Sequence, residues 1–134
     1  MNIIPALGKF TVRASDYLKQ DSSISNGGGT DETEILQAIL DKAVEWGSLV
    51  LEVDGVILTR GMRLHSNTTI HCANQNCGFY LADGANDAIV QNATLDFQQI
   101  HEENIALLGG TYHINCEHQE RWQNNVGRPT LDSV

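Results

Sequence analysis

Basic residues are scarce in this sequence. Eight Lys and Arg stand against 17 Asp and Glu, a formal net charge of −9, which repels nucleic acid and anionic membrane surfaces and removes both from the expected partners. Long apolar runs are missing too: none approaches the ~20 residues that a membrane-spanning helix needs. Proline occurs twice and aromatic residues make up 6% of a composition that is 41% hydrophobic. This suits one globular domain, and 134 residues are enough to bury a core without disulfides or metals. The opening ten residues, MNIIPALGKF, lack a basic stretch followed by a long apolar core, so no secretory leader is expected there. Localisation stays open between the cytoplasm and secretion with a leader already removed. The three cysteines, Cys72, Cys77 and Cys116, form an odd set that suits a reducing compartment or buried thiols. A Cys72–Cys77 bridge across the turn at 73–76 is the alternative, and its geometry is not fixed by sequence.

What is present changes character along the chain. Lys9-Phe10-Thr11-Val12-Arg13 alternates polar and apolar and reads as a short strand, and the polar segment 20–29 reads as a loop. From Asp31 onward Ile35, Leu36, Ile39, Leu40, Ala43 and Val44 recur at three- and four-residue spacing, which makes one helical face. Gly47 ends that helix. Beyond Ser48 the helical spacing gives way to brief strand-like bursts at 49–53, 56–58, 62–64, 68–72, 78–81, 88–90, 104–108 and 111–114. Turn formers separate them, among them Asp54-Gly55, Arg60-Gly61, Ser66-Asn67, Asp83-Gly84 and Gly109-Gly110.

Strands this brief need a repeating frame. An antiparallel barrel or sandwich and a right-handed parallel β-helix with rungs of about 20 to 25 residues both supply one. A barrel calls for two-residue Asn-Gly or Asp-Gly loops between strands of five or six alternating residues, whereas the Asp-Gly pairs here flank strands that are too short. The coil arrangement makes "SNTTIHCANQNCGFYL" and "EENIALLGGTYHIN" similar layers, with Ile70 and Ile105 pointing into one stacked interior.

The glycine-rich loop Asn26-Gly27-Gly28-Gly29-Thr30-Asp31-Glu32 raises the question of a phosphate cradle. Such a loop would present backbone N–H groups and a lysine followed by Ser or Thr. Here Asp31, Glu32 and Glu34 instead complement the positive end of the helix dipole and would repel a phosphate. Thr30 or Asp31 is expected to cap the helix, with Glu34 reaching back to Asp31 in a capping box. The segment is a helix start, and in a coil its apolar face would cover the first rung.

In order along the chain, "FTVRASDYL", "NGGGTDETEILQAILDKA" and "GSLVLEVDGVILTRGMRLHSNTTIHC" resemble the opening of proteins of the pectate lyase superfamily, including polygalacturonase-like glycoside hydrolases. Gly29-Thr30-Asp31-Glu32-Thr33 matches positions of the Gly-Asp-Gly-x-Thr-Asp-Asp-Thr stretch that leads the capping helix in that group. Gly61 to Ile70 matches its "GxxLKSNVTLHL" stretch, and "NIALLGGTYHIN" at 104–115 is similar to its "NITIxGGTWDGN" layer. Val53-Asp54-Gly55 replaces the usual Pro-Pro-Gly, and His113 replaces the Asp that follows the aromatic residue. The resemblance covers roughly residues 9–115. It implies a mainly β fold: the first few rungs of a right-handed parallel β-helix behind an N-terminal capping α-helix, spanning residues 1–118, with a polar tail or the start of a continuation at 119–134.

The same resemblance implies catalytic Asn-Thr-Asp, Asp-Asp, His-Gly and Arg-x-Lys motifs in later rungs, and none of the four occurs in this sequence. Asp54, Asp83, Asp87 and Asp96 each stand alone beside turn residues and read as solvated turn aspartates rather than as the paired carboxyls of a glycosidase. Arg60 and Arg63 have no acidic cluster beside them in sequence and read as surface charges. His113, Cys116 and His118, with Cys72 or Cys77 from a neighbouring rung, would give zinc four ligands, but paired CxxC knuckles are absent. Cys72 and Cys116 read equally as small buried residues. His65, His71 and His101 have no partner readable from sequence. No Gly-x-Ser-x-Gly elbow exists. Asn67-Thr68-Thr69 and Asn92-Ala93-Thr94 fit the glycosylation pattern.

No catalytic, cofactor-binding or metal-ligating residue is therefore assigned, and no cofactor is expected. The first functional expectation is the N-terminal portion of a carbohydrate-active β-helix protein, a hydrolase or lyase of pectin-like or uronic polysaccharides, inactive by itself. The alternative is a non-catalytic β-helix module that binds glycan or oligomerises, in the manner of tailspike stems. After Ile114 no second capping helix is read, so the last rung is expected to expose strand edges and apolar side chains. A second copy of the chain or a continuation of the protein would cover them.

Overall fold

The computed structural model describes residues 3–5, 10–93 and 103–119. Among them are nine short strands: β1 (Thr11–Arg13), β2 (Leu49–Val53), β3 (Val56–Thr59), β4 (Met62–Leu64), β5 (Thr68–Cys72), β6 (Gly78–Leu81), β7 (Val90–Asn92), β8 (Ala106–Leu108) and β9 (Thr111–His113). Helices α1 (Thr33–Leu40) and α2 (Lys42–Trp46) follow each other directly, and single 3₁₀ turns lie at Ala14–Asp16 and Cys116–His118. The fold is mainly β. Of the tail expected at 119–134, all but Gln119 lies outside the described residues, as do Asp96 and His101.

All strand pairings are parallel, and they recur in a cycle of three. From β2 onward each strand pairs with the strand three places further along, giving sheets β1-β2-β5-β8, β3-β6-β9 and β4-β7. Parallel neighbours cannot be joined by a two-residue hairpin, so the chain bends through the other two sheets before it returns. This excludes the antiparallel barrel or sandwich. The interval is uneven: 19 residues separate Val50 from its partner Thr69, but 37 separate Thr69 from Ala106. The expected regular rung of 20 to 25 residues fails on the second pass, which carries the long segment between β7 and β8.

Alternation within each strand sorts the side chains. In the first sheet Val12, Leu51, Ile70 and Leu107 fall in one register column facing the interior, and Arg13, Glu52, His71 and Leu108 form the outward column beside it. Ile70 therefore stacks on Leu107 rather than on Ile105. Ile105 still packs against the core, one residue before the Thr69–Ala106 pair. In the second sheet Ile57, Phe79 and Tyr112 continue the interior, with the Phe79 and Tyr112 rings stacked at 5.2 Å. The expected strand at 88–90 begins only at Val90; Ala88 and Ile89 are buried just before it.

The bends stack as well. Asn67 and Asn104 both adopt the left-handed conformation that Asn tolerates better than other non-glycine residues. Asn104 Nδ2 donates to Asn67 Oδ1 at 3.1 Å, and Asn67 Nδ2 donates to the Gly47 carbonyl at 3.1 Å. Gly47, at φ 85°, ends α2 as its sequence position predicts.

Helix α1 closes the first end of the core. Leu36, Ile39 and Leu40 are fully buried and Ala43 nearly so, while α1 packs on β3 and β4 and α2 on β2. Val44, expected on that covering face, is 68% exposed; it falls in α2, where the turn at Asp41 shifts the helical phase. The capping differs too. The N-cap is Glu32 without a side-chain cap bond, and its buried carboxylate accepts the Lys19 N–H instead. Asp31 accepts the Thr33 N–H at 3.0 Å, so the expected Glu34 capping box does not form. At the other end Gln119, placed in the tail by sequence, is buried, with its side chain bonded to Asn86 N–H and the Ala82 carbonyl.

Candidate functional site

A cleft of about 450 Å³ opens where α1 lies beside β4 and β7. Met62 and Leu64 of β4 turn inward, which sends Arg63 outward into this cleft. Among the described residues β4 has a strand, β7, on one side only. On its other side Gln37 of α1 takes the place of a strand: its Nε2 donates to the Arg63 carbonyl at 3.0 Å, and its Oε1 accepts the Arg63 N–H at 2.9 Å. One amide side chain thus serves both backbone groups of an edge residue on the side that faces α1. A turn earlier, Thr33 Oγ1 accepts the Arg60 N–H at 2.7 Å.

Two carboxylates line the cleft, each beside a basic side chain. Asp41 Oδ1 accepts from Gln37 Nε2 at 2.9 Å and lies 2.8 Å from His65 Nε2. Because a carboxylate can only accept, His65 carries a proton on Nε2. On the opposite wall Asp87 Oδ2 lies 3.5 Å from Arg63 Nη2, and its Oδ1 accepts from Ala88 N–H and Gln91 Nε2. Arg60 lines the same space.

Sequence reasoning missed the Asp41–His65 pair because 24 residues separate the two. Only the return of the chain from α1 through β4 brings them together. The reading of Arg60, Arg63 and Asp87 as isolated surface and turn residues is likewise incomplete, since one cleft gathers all three. The arrangement suits binding rather than proton transfer. A glycosidase acid needs a carboxyl held protonated by an apolar site. The Asp41 and Asp87 side chains are 56% and 42% exposed, and each already faces a basic partner. Guanidinium groups in a cleft of an otherwise acidic chain are suited to planar, two-point contact with a carboxylate.

The remaining sequence candidates fall elsewhere. Asp54 braces its turn, accepting from Gln20 Nε2 at 2.7 Å. His71 pairs with Glu52 at 2.6 Å on the outer face of the first sheet. Cys72 and Cys77 are buried free thiols, so the bridge weighed from sequence is not formed, and Cys116 is also free. Burial, then the neighbouring Cys77, pushes the Cys72 thiol up to about 11, which makes it a poor nucleophile or ligand at neutral pH. Among the described residues no three His, Cys, Asp or Glu side chains converge as a metal site, so His113, Cys116 and His118 do not form the zinc set considered above. Also among the described residues, no helix is long and apolar enough to cross a membrane. Asn67 and Asn92, the glycosylation candidates, sit in the asparagine stack and in β7. No protein-family model, curated protein or solved structure matches this chain.

Proposed function

We propose that this chain forms the helix-capped first rungs of a right-handed parallel β-helix and is the N-terminal portion of a carbohydrate-active protein. In this reading it holds carboxylates of a uronic, pectin-like glycan at Arg60 and Arg63 and does not itself cleave the chain. The observation that carries it is the pair of arginines on one side of α1, in a cleft whose carboxylates are solvated and already partnered. The three-strand cycle and the motifs at 26–33, 61–70 and 104–115 support the same reading.

Titration with oligogalacturonate, followed by calorimetry and by backbone amide shifts, tests it. Binding is expected at residues 60–65, and Arg63→Ala should weaken it about tenfold or more, since a hydrogen bond to a charged group contributes about 1.5–3 kcal/mol and 1.4 kcal/mol is tenfold. No reducing ends and no unsaturated uronate absorbance should accumulate. Either product would overturn the non-catalytic assignment, and binding that ignores Arg63→Ala would overturn the site.

A second reading, an oligomerising module, has one observation in its favour. Leu107 and Leu108 of the edge strand β8 are 40% and 51% exposed. A defined trimer in light scattering, dissociated by Leu108→Asp, would select it.

A further inference from the structure

Away from the arginine cleft, the outward column of the second sheet runs Leu58, Tyr80, His113. Ile24 of the glycine-rich loop packs on the Val56–Leu58–Tyr80 cluster. Gly27 lies so close to the Tyr80 ring that a Cβ there would sit 2.3 Å from it. The next ring, His113, stacks on Tyr80 at 4.4 Å and 13°. β9 is the edge strand of its sheet, so among the described residues no further strand continues this column past His113. A second cleft, of about 620 Å³, opens here and is also lined by Ser25, Glu117 and His118.

Asn115 organises the site. It is 2% exposed and left-handed, at φ 50°. Its Nδ2 donates to two groups that can only accept, the Leu81 carbonyl at 2.9 Å and the Asp83 carboxylate at 2.7 Å, which fixes the orientation of its amide. Its Oδ1 is then an acceptor, taking the Tyr80 hydroxyl at 3.3 Å and His118 Nδ1 at 2.8 Å. His118 must therefore carry its proton on Nδ1. The backbone N–H of Asn115 donates to His113 Nδ1 at 3.1 Å, so neutral His113 carries its proton on Nε2. One asparagine sets two histidines in opposite tautomers. Their remaining ring nitrogens differ in kind: a donor on His113 and an acceptor on His118. The segment is held firmly, since the His118 carbonyl accepts the Gly84 N–H at 2.8 Å and Gln119 bridges Asn86 and Ala82.

We propose that this cleft binds an uncharged sugar ring, independently of the arginine cleft. A pyranose offers a flat C–H face to an aromatic ring and hydroxyls that each donate and accept. His113 supplies the face together with the Nε2–H donor, and His118 Nε2 and the Glu117 carboxylate supply acceptors. Among the described residues neither Lys nor Arg lines the cleft, and Glu117 disfavours an anion.

Two-bond proton–nitrogen spectra of the histidine rings in the intact chain read the tautomers directly. His113 is expected as Nε2–H and His118 as Nδ1–H, and the same tautomer for both would overturn the proposal. Methyl galactoside and methyl glucoside are then titrated in. Ring signals of both histidines should move, His113→Ala should abolish the movement at His118, and His113→Phe should retain weaker binding because it keeps the face and loses the donor. Arg63→Ala should leave the neutral-sugar response unchanged, and His113→Ala should leave oligogalacturonate binding unchanged, so each site fails or stands by itself. Absence of any histidine shift with either glycoside, or equal loss on Arg63→Ala, would overturn the second site.

Discussion

The two ends of the stack use similar residues and treat them differently. In the interior column of the first sheet, Val12, Leu51 and Ile70 are fully buried, whereas Leu107 at the last position is 40% exposed. At the first end the described edges of the second and third sheets have partners, and the first sheet gains a strand. β1 covers β2; Asp21 and Asp31 form bridges to Val56 and Leu58 of β3; Gln37 serves β4. Helices α1 and α2 lie over the side chains. The difference is one of neighbours rather than composition: a leucine contributes to stability in proportion to the apolar area its surroundings remove from water.

The largest effects should follow that gradient. Ile70→Ala is expected to cost about 2–5 kcal/mol, as the truncation of a fully buried aliphatic side chain does when the surroundings cannot collapse. Leu107→Ala, one position along the same column, should cost about 1 kcal/mol or less. Urea unfolding of the two variants gives the comparison directly. Equal costs would mean that the last position is covered in solution, which would favour the oligomerising reading.

An intermediate effect is expected at Gln37. Replacement by Leu keeps the apolar stem over β4 but leaves both backbone groups of Arg63 without their partner, at a cost of about 1–3 kcal/mol for two hydrogen bonds. The same change frees Asp41 from one of its donors. Hydrogen exchange at the Arg63 amide should accelerate. If it stays as slow as in the wild type, another group closes that edge.

Much of this architecture is legible in the residues. The strands at 49–53, 62–64, 68–72 and 78–81 carry an apolar pattern that local spacing reveals, and Gly47 marks the helix stop. What escaped was decided by the return of the chain. The phase of Val44 depends on the turn at Asp41, the pairing of Ile70 with Leu107 on a register that a second pass of 37 residues sets, and the position of Gln119 on bonds to Asn86 and Ala82. The arginine cleft was half visible. Arg60, Arg63 and Asp87 stood out as charged residues beside turns, but the contacts that group them, Asp41 with His65 and Gln37 with Arg63, run across 24 and 26 residues and leave no local trace. Asn115 left none either, because its role rests on a left-handed backbone and on five partners drawn from three segments of the chain.

The smallest effect belongs to the loop that seals the first edge of β3. Asp21 accepts from the Thr30 N–H at 2.9 Å and from the Thr30 hydroxyl at 2.8 Å, pinning the end of the glycine-rich loop beside Val56. The Thr30 backbone bond first, and its side-chain bond second, hold the Asp21 carboxyl below its ordinary value of 3.8. A carboxylate depressed in the folded state stabilises it above the unfolded value, and that contribution disappears as pH falls through the folded one. The loop should therefore stay closed at neutral pH and loosen only as pH falls below the ordinary carboxyl value of 3.8. Carbon-detected titration of the Asp21 carboxyl, with the amide signals of Gly27 to Gly29 as reporters, measures this. Thr30→Ala removes the hydroxyl and keeps the N–H, so it should move the Asp21 midpoint only part of the way back toward 3.8. A complete return would show that the hydroxyl, not the backbone, pins the loop. No change at all would show that the loop is open in solution, and with it the edge of β3 that distinguishes the sealed end from the other.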